Sequence, residues 1–175
     1  IIAPAEASSN LARFDGIRYG ARQEAKGHVG LVEKTRGEGF GHEVKARIMI
    51  GTYALSAGYY DAYYTKAQQV RGHMREKFLQ TFQEFDFVVS PTSPVTAFKL
   101  GEFDADPLAM KLLDYCTIPA NMIGAPAISL NVGYSDGLPV GLQLMGAPMA
   151  DEQLLAAAYA VEREFTDVQQ QPKLL

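Results

Sequence analysis

The chain has 175 residues, 47% of them hydrophobic, which is enough to bury one sizeable core, and the simplest organisation is a single domain over residues 1–175. Its 16 basic and 20 acidic residues are well mixed and leave a net charge of −4, so no continuous basic surface is set aside for nucleic acid. The single cysteine, Cys116, excludes an internal disulfide and any zinc site built on several thiolates, and fits a reducing cytosol.

No apolar run approaches the roughly 20 residues that cross a bilayer as a helix. The first residues, Ile1 and Ile2, follow no methionine and lead into no signal-peptide pattern, which reads as the later part of a longer polypeptide.

Residues 1–20, IIAPAEASSNLARFDGIRYG, start apolar and become rich in Ser, Asn, Asp and Gly. The expectation is a strand that leaves a sheet and enters an ordered loop. Phe14–Gly16 is expected to turn, with Arg13 and Arg18 tying it down through backbone carbonyls in preference to the alternative of binding an anion. Residues 21–40 are polar and carry glycines without a clear period, and are expected to form a surface excursion.

Helical spacing begins in the stretch 39–64, GFGHEVKARIMIGTYALSAGYYDAYY. A helix is expected from about Gly41 to Ser56, with Val44, Ile48, Thr52 and Leu55 facing a core and Gly58 as its break. Arg47 sits at the edge of that stripe, where its guanidinium fork could reach a carboxylate in a cleft. The plainer alternative is a snorkelling arginine paired at the surface. From Tyr63 a longer helix is expected to bury Ala67, Val70, Met74, Phe78, Phe82 and Phe85 along one face, leaving Lys66, Arg71, Arg75 and Lys77 on the solvated side.

The next segment, FDFVVSPTSP, reads as a buried strand that stops at Pro91 and Pro94. A helix followed by a buried strand is an α/β signature, here a mixed sheet flanked by helices. Ligands in such sheets gather at strand ends, where Ser90, Thr92 and Ser93 stand; their hydroxyls either line a pocket or satisfy loop backbone.

GEFDADP has two aspartates but lacks the later ligands of a calcium loop, so Asp106 is expected to cap a helix starting at Pro107. That helix carries Leu108, Leu112 and Asp114 toward DYCTIPANMIGAPA, where Pro119 should end any helix and Asn121 cap the next element.

AISLNVGY alternates Ile128, Leu130, Val132 and Tyr134 against the small Ala127, Ser129, Asn131 and Gly133, a strand whose second face lets another backbone or a ligand approach closely. A turn at Ser135, Asp136 and Gly137 leads into PVGLQLMG and predicts a hairpin. Asp151 then caps a helix with Leu154, Ala158, Val161 and Phe165 toward the core. The polar tail from Thr166 is expected to fray.

The chain has no G-x-S-x-G elbow, Walker loop or dinucleotide fingerprint. His28, His42 and His73 are isolated, without zinc-ligand spacing. Cys116 has no histidine near it in sequence and reads as a small buried hydrophobe.

Four segments carry a family resemblance: EASSNLARFDGIRYG, EGFGHEVKARIMIGTYALSAGYYDAYYTKAQQVR, TIPANMIGAPAISL and GLPVGLQLMG. Together they resemble the C-terminal part of an amidase signature enzyme. PAISL followed by GLPVGLQLMG is shared across that superfamily, whereas the first two segments resemble the A-subunit family of aspartyl/glutamyl-tRNA(Asn/Gln) amidotransferases. The match covers nearly the whole chain and is weakest between Ala21 and Arg36 and after Thr166. It departs at Asn131, where the family commonly has proline.

The resemblance implies an α/β amidase signature fold whose catalytic Lys and two Ser lie upstream of this chain. Ser8 and Ser9 are not that motif, so this segment is expected to have no catalytic residue and to be inactive alone. It further implies that Arg47 aligns with the arginine that holds the glutamine carboxylate, and Asp114 with the aspartate that holds its α-amino group. The chemistry agrees, because free glutamine is a zwitterion and needs one fixed cation and one fixed anion.

The implied activity is a cytoplasmic glutaminase that supplies ammonia to a partner, the B subunit. There ATP and Mg activate Glu-tRNA(Gln) or Asp-tRNA(Asn), and a small C subunit helps assembly. tRNA would be met through the complex, with no cofactor, metal or membrane bound by this chain. Two other readings stay open. One is a different amidase signature hydrolase of fatty, peptide or small-acid amides, which has no need of Arg47 and Asp114. The other is a non-catalytic scaffold presenting a helical surface to other subunits.

Overall fold

The computed structural model describes residues 1–165 and Val168, so the tail expected to fray from Thr166 lies, apart from Val168, outside the described residues. The chain forms two compact units, Ile1–Val70 and Arg71–Leu175.

The first unit is helical: α1 (Ile2–Asn10), a 3₁₀ turn (Leu11–Arg13), α2 (Gly27–Gly39) and α3 (His42–Ala54). Two expectations are corrected here. Residues 2–10 are helix, not strand, because Ala3, Ala5 and Ala7 favour the helix and Pro4 lies in the first turn, where its missing N–H removes no bond. The excursion expected over 21–40 contains α2. That helix buries only Leu31 and Thr35, one turn apart, too narrow a stripe to stand out as a period.

The turn after α1 is closed by Asp15, whose Oδ1 accepts from Ile17 N and Arg18 N at 2.9 Å each. Arg13 Nε donates to Asn10 O as expected, but Arg18 bonds the Asp15 carboxylate instead of a carbonyl. The longer-range tie comes from Arg36, whose Nη1 donates to Leu11 O at 2.8 Å.

Helix α3 faces α1 through Gly51 and Ala54, its buried residues. Thr52, expected in the core stripe, is exposed and donates back to Ile48 O at 2.8 Å. The contact with α1 is backbone on backbone, since a Cβ at Gly51 would overlap the Pro4 carbonyl oxygen and lie 2.9 Å from Ala5 N. Small residues therefore set the spacing of the two helices. Beyond Gly58, a π-helical turn (Asp61–Thr65) precedes α4 (Lys66–Thr81). The Tyr53 and Tyr59 rings are 4.3 Å apart, and the hydrogen bond between them pushes the Tyr53 phenol up to about 12.

The second unit is built on three antiparallel strands, β1 (Phe87–Pro91), β2 (Ala127–Ser135) and β3 (Leu138–Gly146), in the order β1-β3-β2. Adjacent residues on the central strand feed the two faces of the sheet. Met145 joins Ala120 and Ile123, with Met74 and Phe78 of α4 and Phe82 just beyond it packed on them. Leu144 joins Leu154 and Ala158 of α7 (Asp151–Glu164), with Ile128, Leu130 and Val161 alongside.

The apolar face expected along α4 is thus shorter than its pattern. Val70 and Phe85 are more than half exposed. Arg71, expected on the solvated side, donates from Nε to Met122 O at 2.7 Å.

The expected hairpin is present, with Ser135 paired to Leu138 across Asp136 and Gly137. Both turn residues have positive φ, 51° and 77°, the geometry that matches the strand twist. The ladder slips between Asn131 and Gly133, leaving Val132 as the extra residue of a bulge and interrupting the predicted alternation. Asn131 Oδ1 accepts from Gly133 N across that bulge, which gives the departure from proline a local purpose.

Two short helices precede the hairpin, α5 (Pro107–Leu112) and α6 (Ile118–Ile123). Asp106 caps α5 as expected, accepting from Leu108 N and Ala109 N. Pro119 opens α6 instead of ending a helix, and Asn121 lies inside it, donating to Thr117 O; proline in a first turn gives up no helical bond. Asp151 is the first residue of α7 and makes no side-chain cap, so it acts on the helix dipole alone. Among the described residues no helix is long and apolar enough to cross a membrane.

Two outcomes test this packing. Gly51→Ala gains about 1 kcal/mol of helix propensity but must part α1 from α3, at a cost of about 1–3 kcal/mol or more; a lower melting temperature is expected, and a higher one would show that the helices are not in backbone contact. The Asp15 carboxyl is held far below its ordinary value of 3.8, first by the backbone N–H groups of Arg18 and Ile17 and further by the Arg18 guanidinium. Its contribution is present above that ordinary value and lost as pH falls toward the folded pKa. The protection of the Ile17 and Arg18 amides over Asp15→Asn should therefore narrow from pH 7 to pH 3 in hydrogen exchange, and a constant gap would contradict it.

Candidate functional site

A groove of about 880 Å³ opens at the C-terminal end of β1 in the second unit. Its walls are residues 91–98, Met110, Leu113, Asp114 and Thr117, with Ser129 and Gly141 from the hairpin. The strand carries its ladder one residue beyond Pro91, since Thr92 N donates to Gly141 O at 2.9 Å. Thr92 Oγ1 then meets Ser129 Oγ at 2.6 Å. Glycine at 141 leaves room for this pair, because a Cβ would lie 2.8 Å from one oxygen and 2.9 Å from the other.

One row across the sheet fixes the floor. Ser90, Gln143 and Ser129 are register partners on β1, β3 and β2. Gln143 is 4% exposed, and its Nε2 donates to Ser90 Oγ at 3.1 Å and to Cys116 O at 2.8 Å. The amide thus binds the sheet to the segment after α5 that carries Asp114. Asp114 itself is exposed at the groove wall. Its carbonyl accepts from Thr117 N at 3.1 Å and Thr117 Oγ1 at 3.2 Å, and among the described residues its carboxylate has no charged partner.

Arg47 belongs to the first unit. It is exposed on α3, with Nε 2.9 Å from Glu43 Oε1 one turn earlier. The bond engages one of the five N–H donors of the guanidinium. Ser8 and Ser9 bond the Ala5 carbonyl as ordinary helical hydroxyls. Among the described residues no three His, Cys, Asp or Glu are grouped to hold a metal. Cys116 is half-buried and contributes its carbonyl, not its thiol.

Sequence reasoning placed Thr92 and Ser93 at a strand end, Ser129 on the small face of the next strand and Asp114 with the helix starting at Pro107, but gave Gln143, Gly141 and Thr117 no role in the site. A buried amide in the run GLQLM was the available signal, because an amide held among apolar neighbours must be bonded.

The second unit thus sets a hydroxyl-lined groove at a strand end of a three-stranded sheet with helices on both faces. The Amidase family matches residues 1–155, and the chain belongs to it. The chain is 56% identical to the A subunit of the Glutamyl-tRNA(Gln) amidotransferase of Moorella thermoacetica over 174 residues, 99% of this chain and 36% of that protein. It is 58% identical to the protein of the same name from Chloroflexus aggregans over 163 residues, 93% of this chain and 33% of that one. It thus spans about a third of the length of the curated relatives it matches.

The crystal structure of the A subunit of the Thermotoga maritima Glutamyl-tRNA(Gln) amidotransferase superposes with a TM-score of 0.59 at 43% identity, covering 78% of this chain and 31% of that one. A bacterial aryl acylamidase of the amidase signature family shares the fold at 20% identity, with a TM-score of 0.63 over 99% of this chain and 36% of its own.

The Gln143 network is open to direct test. At neutral pH a carboxylate in its place cannot donate to Cys116 O, and burying it should cost more than about 3 kcal/mol. Gln143→Glu should therefore lower the melting temperature more than the similarly shaped Gln143→Met, and the opposite order would show that the two donated bonds are not what the site requires.

Proposed function

We propose that this chain carries the glutamine-recognising portion of the A subunit of a tRNA-dependent amidotransferase, its two units being parts of one amidase signature domain. The identity to proteins of that name across nearly the whole chain carries the reading. The groove supports it, lined by neutral hydroxyls and by Asp114, whose carboxylate has no charged partner among the described residues, suited to an ammonium group. Arg47 supplies the complementary cation, as a fork that takes the α-carboxylate with two parallel bonds. Each such charge-assisted contact is worth about 1.5–3 kcal/mol, enough to favour the zwitterion over simple amides.

In a polypeptide of the relatives' full length, a serine outside this chain attacks the glutamine amide carbon and ammonia leaves. Water then cleaves the glutamyl ester, restoring the serine and releasing glutamate. Ammonia passes to the B subunit, which uses ATP and Mg to amidate Glu-tRNA(Gln) or Asp-tRNA(Asn), with a C subunit in the assembly. The complex works in the cytoplasm and meets tRNA through its partner chains.

Arg47→Lys, made in the assembled complex, tests the reading. An ammonium cannot reproduce the two-pronged contact, so kcat/KM for glutamine should fall about tenfold or more. Amidation driven by free ammonia should be unchanged. An unaltered apparent affinity for glutamine would remove Arg47 from the site.

A further inference from the structure

We infer that the Thr92–Ser129 hydroxyl pair is the neutral half of a cradle for a primary ammonium group, with Asp114 as its charged half. The inference rests on the glutamine reading above and makes Thr92 and Ser129 positioning residues for the substrate α-amino group.

The pair is a constructed feature of the sheet. Thr92 is held by its backbone bond to Gly141, Ser129 by its register opposite Gln143, and Gly141 leaves free the space that any Cβ would take from both oxygens. Such fixity fits a binding surface better than a loop hydroxyl that turns to suit its own backbone.

Counting protons says what the pair can bind. Two hydroxyls hold two protons and about four acceptor sites. The 2.6 Å bond uses one of each, which leaves one donor and about three acceptors. An oxyanion asks for converging donors and would find only one. An ammonium has three N–H donors and no acceptor, and its needs diverge. A single carboxylate seldom meets all three, and in this open groove the neutral acceptors beside it would take donors that water otherwise bonds.

Position completes the case. Thr117 lines the groove together with Thr92 and Ser129, and the same three residues meet again in a smaller cavity of about 290 Å³. Both the N–H and the hydroxyl of Thr117 are bonded to the Asp114 carbonyl. The turn bearing Asp114 is therefore fastened on the wall of the groove that the hydroxyl pair also lines.

The test compares glutamine with glutaramate, which keeps the carboxylate and the amide but has no amino group, as substrates of the assembled amidotransferase. Ser129→Ala and Thr92→Val should each raise KM for glutamine about tenfold, the usual weight of a bond to a charged group, while KM for glutaramate stays within about twofold. Thr92→Ser, which keeps the hydroxyl, should behave as the wild type. Equal losses on both substrates would reduce the pair to a structural tie, and no loss on either would remove it from the site; both results overturn the inference.

Asp114→Asn separates this from failure of the underlying reading. If that variant abolishes the preference for glutamine over glutaramate while the hydroxyl variants do not, only the pair is wrong. If it leaves the preference intact, the glutamine reading of Asp114 fails and the cradle with it. Should Ser129→Ala not fold, as judged by melting, the contrast between Thr92→Val and Thr92→Ser decides alone.

Discussion

A single buried amide organises the second unit. Gln143 lies on the central strand, where burial obliges each of its N–H groups to find a partner. One goes sideways to Ser90 on β1, and the other leaves the sheet for the Cys116 carbonyl. The apolar clusters on either face would hold helices against the sheet without specifying where along it they sit, since hydrophobic burial is non-directional. The two directed bonds supply that specification. They tie the segment after α5, and so Asp114, to the same strand whose Gly141 makes room for the hydroxyl pair. Stability and the geometry of the groove thus share one residue.

Absent side chains set the remaining distances. Gly51 in the first unit and Gly141 in the second are both places where a methyl group would meet atoms already at contact, the Pro4 backbone in one case and two hydroxyl oxygens in the other. A Gly inside a helix costs about 1 kcal/mol relative to Ala. Holding the close contact of α1 with α3 offsets that at position 51, and holding the Thr92–Ser129 bond does the same kind of work in the strand.

The range of the forces involved decides how much of this was legible in the sequence. The hairpin, the Asp106 cap and α3 depend on neighbours a few residues away, and their turn residues, caps and apolar spacing announce them. The strand expected at the start of residues 1–20 and the excursion expected over 21–40 give way to the helices Ile2–Asn10 and Gly27–Gly39 because propensity and a narrow buried stripe suffice, a signal too weak to read as a period. Pro119 misled for the opposite reason: it signals a helix boundary without saying which side the helix is on. Gln143 matters through bonds spanning 27 and 53 residues and Gly141 through its contacts with Thr92 and Ser129, which no local pattern encodes. Asp114 and Arg47 were singled out by resemblance, and periodicity alone left Arg47 an ordinary surface arginine.

That ordinary appearance is compatible with recognition. An exposed pair at i,i+4, such as Glu43 with Arg47, contributes about 0.3–0.5 kcal/mol, because water solvates both charges nearly as well as they solvate each other. A ligand carboxylate bound bidentately by the same guanidinium in a drier cleft gains about 1.5–3 kcal/mol. The ligand contact is the stronger of the two, so the bond to Glu43 is no obstacle to it. That bond also has a use. By holding Nε, Glu43 limits the rotamers open to a long side chain, and a guanidinium already ordered loses less entropy when its remaining donors are engaged. On these magnitudes the surface pair with Glu43 does not exclude the role proposed for Arg47 in holding a ligand carboxylate.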